Sequence, residues 1–246
     1  MFNKDTWKEI FDTIEKNKLR TFLSGFTVAM GIFIFIILFG FGNGLKNSFN
    51  EYFIDDNVNT IRIYPTSTSI AYKGYEKNRR IQLTNDDIEK ISTKFKNDLD
   101  DITLRVGDFT EVKYKENANA YRVRGVSPAH QLAELTIMMQ GRFLNEDDIT
   151  NKRKYVVIGR LVAEDLFKNE DPIGKYIFGG NHSWKVIGVF QDEGGDNEER
   201  IIYVPYTTLQ KIKKNTDELD QIILIYNSEM DYSESVKLES RLEKFI

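Results

Sequence analysis

A glycine cluster is the segment of this chain closest in composition to a phosphate-binding loop. It consists of Gly40-Phe41-Gly42-Asn43-Gly44 and stands at the end of a long apolar run. Loops that hold ATP phosphates have the pattern GxxxxGK[ST], in which the lysine reaches the β- and γ-phosphates. The cluster does not meet this pattern, so the glycines indicate the exit of a helix. If ATP drives this protein, another polypeptide hydrolyses it.

Residues that could bind a metal or act as nucleophiles are few and scattered. The two histidines, His130 and His182, are far apart in sequence, and the chain has no cysteine for thiolate metal sites or disulfides. The acidic stretches at 146–148 and 192–196 lack the ligand spacing of a calcium-binding loop and suit solvated turns. No serine or threonine stands in a G-x-S-x-G elbow. The sequence therefore predicts no catalytic residue, no cofactor and no metal site.

The element that organises the chain is an apolar run from Thr21 to Leu45, which contains no charged side chain. At about 1.5 Å of rise per residue, a helix of this length crosses a hydrocarbon core roughly 30 Å thick. A cleavable signal peptide has a shorter apolar region, about 7–15 residues, followed by a small-residue cleavage site. Neither condition holds, so the run predicts a transmembrane helix over residues 21–45.

Residues 1–20 have the pattern of an amphipathic helix at the cytoplasmic membrane surface. Thr6 and Glu9 have the spacing of a capping box. Apolar residues recur at i, i+3, i+4 and i+7, namely Trp7, Ile10, Phe11 and Ile14. A tryptophan in such a stripe suits the lipid headgroup region. The same stripe also suits packing against another helix of the same protein.

Positive charges are concentrated before the transmembrane run. Five cations precede it: Lys4, Lys8, Lys16, Lys18 and Arg20. The twenty residues after Leu45 contain only Lys46 and Arg62. By the positive-inside rule the N-terminus is cytoplasmic, and the large polar part is periplasmic or extracellular. The net charge of −4 provides no basic face for phosphates, which disfavours a nucleic-acid partner.

The transmembrane helix is expected to continue outside the membrane as a stalk over residues 46–56. A helical stripe extends the apolar run through Leu45, Phe49, Tyr52 and Phe53. We expect these four side chains to pack against a partner helix. Asp55-Asp56-Asn57 then interrupts the pattern.

The remaining chain predicts an α+β fold: an N-terminal amphipathic helix and one transmembrane helix, followed by a mixed α/β extracytoplasmic domain of two subdomains. Residues 57–101 and 201–246 form the first, porter-like subdomain, and the hairpin-rich residues 102–200 are inserted into it. Alternating or apolar runs predict strands at 59–64, 80–83, 102–106, 109–115, 120–126, 155–158, 176–178, 183–190, 201–204 and 221–226. Helical patterns are predicted at 84–95, 128–135, 160–167, 207–214 and from 233 onward. Residues 145–148 are predicted to form an acidic turn.

Several short segments, in order along the chain, resemble the MacB/FtsX-type permeases of ABC transporters. They begin with Asn17-Lys18-Leu19-Arg20-Thr21-Phe22-Leu23 at the entry to the transmembrane run. The others are Gly141-Arg142-Phe143-Leu144 with the following acids, Val156-Val157-Ile158-Gly159, Ala163-Glu164-Asp165-Leu166-Phe167, Asp171-Pro172-Ile173-Gly174-Lys175, Val186-Ile187-Gly188-Val189 and Tyr203-Val204-Pro205. The segments are distributed over residues 17–205.

The resemblance implies a four-span permease with a large extracytoplasmic domain between its first two spans, in the inner cell membrane. Such permeases act as dimers, with a second copy or a homologous permease, and couple ATP hydrolysis to movement of the outer domain, which exports or extracts substrate. No ATPase precedes Met1 and no further span follows, so we expect the first part of a permease with a separate cytosolic ABC ATPase as partner. Engagement of a periplasmic adaptor is left open.

Two other functions remain compatible with the composition. The first is a single-pass membrane-anchored receptor or adhesin whose outer domain binds a ligand. The second is an anchored hydrolase, which would require clustered carboxylates with perturbed pKa values in a deep polar cleft. The resemblance favours the permease, which is itself not an enzyme, because the ATP hydrolysis is expected in a partner subunit.

Overall fold

The computed structural model describes residues 14–54, 59–69, 71, 74–192, 194–214 and 216–245, with the backbone alone for 46–54 and 232. It separates into two compact units, residues 1–53 and 54–246. Most of the described residues of the first unit belong to one long helix, α1 (Lys18–Ile54). Residues 14–16 are also helical.

The second unit is a mixed α/β domain. Its strands are β1 (Thr60–Ile63), β2 (Leu83–Thr84), β3 (Leu99–Tyr114), β4 (Asn117–Val126), β5 (Ile137–Gly141), β6 (Tyr155–Gly159), β7 (Tyr176–Gly179), β8 (His182–Gln191), β9 (Ile201–Pro205), β10 (Glu218–Leu219) and β11 (Gln221–Tyr226). Its helices are α2 (Asn85–Lys94), α3 (His130–Ala133), α4 (Glu146–Thr150), α5 (Arg160–Phe167), α6 (Tyr206–Ile212) and α7 (Tyr232–Glu243). The predicted α+β class is confirmed.

Nine of these strands form one sheet in the order β1-β11-β3-β4-β9-β6-β8-β5, with β7 paired to both β3 and β8. The β3–β7 pairing covers two residue pairs, Val112 with Gly179 and Lys113 with Phe178. This contact closes β3, β4, β9, β6, β8 and β7 into a six-stranded ring. The edge strand β1 lies outside the ring and pairs with β11.

One face of the sheet carries the main hydrophobic core. Because side chains alternate between faces along a strand, Leu104, Val123 and Ile222 point to the same side and pack with residues of the helices. These residues include Ile91 on α2, Phe95 at the C-terminal cap of α2, Val162 and Leu166 on α5, Leu209 on α6, and Leu238 and Leu242 on α7. Fully burying such side chains stabilises the fold by about 1.5–3 kcal/mol each.

The structure differs from the sequence predictions at several short segments. The runs predicted at 102–106 and 109–115 are one strand, because Gly107 and Asp108 between them stay paired with β4. Strand β5 carries no alternating pattern and was not predicted. The predicted acidic turn at 145–148 is wrong: it is the capped start of α4, in which the Asn145 side chain accepts a hydrogen bond from the backbone N–H of Asp148 at 3.1 Å.

The predicted boundaries between two subdomains fall within one continuous sheet. The boundary at residue 101 lies inside β3. Strand β9, assigned to the first part, pairs with β4 and β6 of the second part. No observation tests the division into two subdomains, which stays a prediction.

Candidate functional site

The first candidate functional element is α1, which contains the predicted transmembrane run. The segment Lys18–Leu45 is long and apolar enough to cross a membrane, and none of its most apolar window is buried. The large side chains of this segment are exposed, among them Phe22, Phe26, Phe35 and Phe39. An unburied apolar helix of this length matches a lipid-facing span.

The residues predicted to contact the membrane surface or a partner lie in or beside this helix. Ile14 is partly exposed, whereas Trp7, Ile10 and Phe11 lie outside the described residues. Positions 45, 49, 52 and 53, occupied by Leu45, Phe49, Tyr52 and Phe53, all lie within α1, whose helical spacing places them on one side. The side chain of Leu45 is exposed. The roles given to these residues stay predictions.

The second candidate site is a buried group of ionic side chains on the sheet face opposite the main core. Alternation along β1, β3 and β4 directs Arg62, Arg105 and Arg124 toward this face. The short helix α3 lies over it, with Ala133 packed against Ile223 and Ile225 of β11. A charged group in such a place requires a partner, because a buried unpaired charge is costly.

Glu134, directly after α3, pairs with two of these arginines. One carboxylate oxygen lies 2.9 Å from an Nη of Arg62, and the other lies 2.6 Å from an Nη of Arg105. The side chain of Glu134 is 8% exposed, that of Arg62 21% and that of Arg105 16%. Arg124 pairs with Glu198 at 2.8 Å. One carboxylate therefore connects the edge strand β1 with the central strand β3.

His130 and Tyr203 complete the buried group. Their rings meet edge to face at 5.2 Å between centroids, and both side chains are fully buried. Among the described residues, neither ring nitrogen of His130 nor the hydroxyl of Tyr203 has a hydrogen-bond partner. Burial, followed by the neighbouring Arg105, Arg124 and Arg62, holds the pKa of His130 well below its ordinary value. His130 therefore stays neutral in the folded domain.

The depressed pKa of His130 predicts a loss of stability in acid. Between the unfolded pKa near 6.5 and the lower folded pKa, the unfolded chain binds a proton that the folded chain does not, so stability falls as pH decreases. We expect the free energy of unfolding to fall more steeply in the wild type than in His130→Gln, by up to about 1.4 kcal/mol per pH unit. Denaturant unfolding between pH 7.5 and 5 measures both slopes, with His182→Gln as the control. Equal slopes in the wild type and His130→Gln would contradict this account.

Sequence reasoning missed this buried group. The alternation in β1 predicts a half-buried strand, and an arginine on the polar side of such a strand ordinarily faces water. Glu134 and His130 belong to a four-residue helix and its C-terminal cap, too short to show a period. The one available indication was that Arg62, Arg105 and Arg124 occupy the same face of three strands, which would have suggested a shared ionic group.

His182 and the interior of the six-stranded ring show little resemblance to a metal or ligand site. His182 lies near Lys154, with 3.3 Å between its Nδ1 and the lysine Nζ. Among the residues that the structure describes, no group of three or more His, Asp or Glu could hold a metal ion. Inside the ring, a cavity of about 30 Å³ is lined by residues such as Val123, Val156 and Trp184. Small-molecule pockets are usually about 300–1,000 Å³, so this interior is a packed core.

Comparison with known proteins identifies the family. The model of the MacB-like periplasmic core domain matches residues 21–237. A macrolide export ATP-binding/permease protein MacB of Bdellovibrio bacteriovorus is 24% identical over 206 residues, and one of Wolinella succinogenes is 26% identical over 211 residues. The alignments cover 82% and 83% of this chain but 32% and 31% of the relatives. The chain thus spans about a third of their length.

Two solved structures have the same fold as the α/β domain. The periplasmic region of MacB from Actinobacillus actinomycetemcomitans superposes with a TM-score of 0.64 at 21% identity, covering 77% of this chain and 85% of that one. The extracellular domain of the noncanonic ABC-type transporter YknZ from Gram-positive bacteria superposes with a TM-score of 0.59 at 18% identity, covering 70% and 85%. The chain therefore belongs to the MacB-like periplasmic core domain family, with an apolar helix on the N-terminal side of the α/β domain.

Proposed function

We propose that this chain couples cytosolic ATP hydrolysis to movement of its outer domain, which exports or extracts a substrate. ATP is hydrolysed by a separate ABC ATPase subunit, and two permease copies, or two homologous permeases, act together. The helix α1 crosses the inner membrane with its N-terminus in the cytoplasm, and residues 54–246 lie on the periplasmic or extracellular side.

The observation that carries this proposal is the continuity of α1. Its 37 residues correspond to about 55 Å of helix, roughly 25 Å more than a hydrocarbon core is thick. A single rigid rod can transmit a tilt from one side of a membrane to the other, provided that a second helix supports it. The helix ends at Ile54 and the first strand begins at Thr60, so the chain passes from rod to domain within a few residues.

The proposed orientation rests on the distribution of positive charge along the chain. The proposed partners rest on the exposed surface of α1 and on the names of the relatives. The cations before the span support a cytoplasmic N-terminus. The relatives from Bdellovibrio and Wolinella are named ATP-binding/permease proteins, which supports an ATPase as partner. We place the contact with a partner helix at Leu45, Phe49 and Tyr52.

Breaking the helix beyond the membrane is expected to uncouple transport from ATP hydrolysis. Proline at position 49 removes a backbone donor and clashes with the preceding turn, at a cost of about 3 kcal/mol or more to the helix. In the full-length permease reconstituted with its ATPase, Phe49→Pro should abolish efflux of a macrolide probe, erythromycin, while ATP hydrolysis continues. Erythromycin is the probe because the relatives are named for macrolide export.

The matched control for this experiment is Phe49→Leu, which keeps an apolar helix former at the same position. It should retain both efflux and hydrolysis. Undiminished efflux in Phe49→Pro would contradict coupling through α1.

A further inference from the structure

Among the described residues, strand β1 is the first regular element of the outer domain after α1. It is an edge strand of four residues, Thr60–Ile63, and β11 is its one neighbour among the described strands. Because β1 follows α1 in the chain, a movement of α1 that passes along the backbone reaches this short strand before the strands that come later in the sequence. How far the displacement travels depends on what fastens β1 to the domain.

Two kinds of contact fasten β1. Its backbone pairs with β11 over four positions, from Thr60 with Ile225 to Ile63 with Ile222, and its isoleucines pack on the main core. On the opposite face, Arg62 stands directly across from Ile223 of β11. Its guanidinium reaches the Glu134 carboxylate at 2.9 Å.

The same carboxylate also fastens β3. Its second oxygen lies 2.6 Å from Arg105, and Arg105 stands across from Gln221 of β11. The ionic contact therefore spans three neighbouring strands in the order β1, β11, β3. Because Glu134 is nearly inaccessible to water, its attraction to both guanidinium groups is screened much less than that of a surface pair.

We propose that Glu134 is a positioning residue that transmits displacement of β1 to the central strand β3 through Arg62 and Arg105. This inference rests on the proposed function, because it assumes that α1 moves the outer domain. We further propose that the four-position backbone pairing of β1 with β11 does not by itself transmit the displacement of β1 to β3, so the Glu134 carboxylate is required.

Hydrogen exchange in the assembled transporter tests the role of Glu134. The full-length permease and its ATPase are placed in nanodiscs and compared without nucleotide and after trapping with ATP and vanadate. We expect nucleotide-dependent changes in amide exchange in both β1 and β3 of the wild type. In Glu134→Gln the change in β1 should remain, and the change in β3 should fall roughly threefold or more.

A second variant and a control separate transmission from loss of folding. Arg62→Gln breaks the same contact and leaves Glu134 paired with Arg105, so the buried carboxylate keeps a cation. It should also lose the change in β3. Glu111→Gln, at an exposed position of β3, should behave like the wild type.

A reversible disulfide between β1 and β11 tests whether the exchange change in β3 can be restored in Glu134→Gln. The chain has no cysteine, and Thr60 stands directly opposite Ile225. Opposite residues in antiparallel strands have Cα atoms about 4.5–5.5 Å apart, which a disulfide can span. Adding Thr60→Cys and Ile225→Cys to Glu134→Gln should restore the β3 change when oxidised and lose it again when reduced.

The outcomes distinguish the inference from the proposed function. Absence of any nucleotide-dependent change in the wild-type outer domain would overturn the proposed function, and the inference with it. A wild-type change in β3 that persists in both Glu134→Gln and Arg62→Gln would overturn the inference alone. Failure of the oxidised cross-link to restore a lost change would also overturn it, because the loss would then reflect general damage to the domain.

Discussion

Gly159→Ala should destabilise the α/β domain by about 3–5 kcal/mol, one of the largest effects of a single methyl group in this chain. Gly159 connects β6 to α5 with an ordinary backbone conformation, so its backbone angles do not require glycine. The requirement is space. A Cβ at this position would lie 2.1 Å from the backbone oxygen of Glu199 and 2.6 Å from its carbonyl carbon.

Glu199 cannot easily move away from the added methyl group. Its side chain is almost fully buried and pairs with Arg160 at 2.5 Å, so a shift of its backbone would strain that contact. The clash therefore has to be relieved by separating β6 from the segment that precedes β9. Both strands are in the closed ring, which explains the size of the expected effect.

The control for Gly159→Ala is Gly174→Ala. Gly174 has a φ of +80°, and a methyl group added there would meet no atom of the described residues within 4 Å, so its cost is the left-handed backbone alone. That cost is roughly 1–2 kcal/mol. Denaturant unfolding of the full chain in detergent, followed by Trp184 fluorescence in a Trp7→Phe background, measures both variants. A smaller loss in Gly159→Ala than in Gly174→Ala would contradict the steric account.

These two glycines show how far sequence reasoning reaches. The apolar run Tyr155–Ile158, followed by a glycine and a helical pattern, is enough to predict a strand that turns directly into a helix. The pattern does not reveal why glycine is required, because Glu199 is forty residues away in sequence. Gly174 is different, since the composition of its turn already indicates a tight backbone.

The same limit explains why the long helix was predicted and the buried ionic group was not. An uncharged run of this length is typical of a helix, whose backbone hydrogen bonds all lie within the segment, so its signal is local. The pairing of Arg62 with Glu134 depends on strand order and on where a four-residue helix lies. Neither strand order nor the position of this helix can be read from the residue alternation within one strand. The alternation of β1 alone therefore predicts that Arg62 faces water.

The second large prediction concerns the stability contribution of Asp148. This residue is one of the acids that follow the motif Gly141-Arg142-Phe143-Leu144. The carboxylate of Asp148 is fully buried and accepts hydrogen bonds from two guanidinium nitrogens of Arg142, at 2.6 and 3.1 Å. It also accepts the backbone N–H of Asn145 at 3.1 Å, while the Asn145 side chain accepts the N–H of Asp148. One carboxylate thus caps α4 and fixes the arginine.

Asp148→Ala should therefore cost about 2–4 kcal/mol in the free energy of unfolding. Truncation removes the acceptor for the Asn145 N–H, which is one of the two hydrogen bonds of the capping box, and leaves Arg142 without its anion. The cost stays below that of a fully buried pair because Arg142 is 45% exposed and can turn toward water. Asp148→Asn should fall between Asp148→Ala and the wild type, since an amide oxygen can still accept the Asn145 N–H.

The neighbouring Asp147 provides the matched control for Asp148. It pairs with Arg153 at 2.8 Å, but its side chain is 58% exposed, and exposed pairs contribute about 0–1 kcal/mol. Asp147→Ala should thus leave the unfolding midpoint nearly unchanged under the conditions in which Asp148→Ala lowers it. If the two alanine variants lost equal stability, the burial of Asp148 would not be the source of its contribution, and the acidic segment would act through its summed charge at the start of α4.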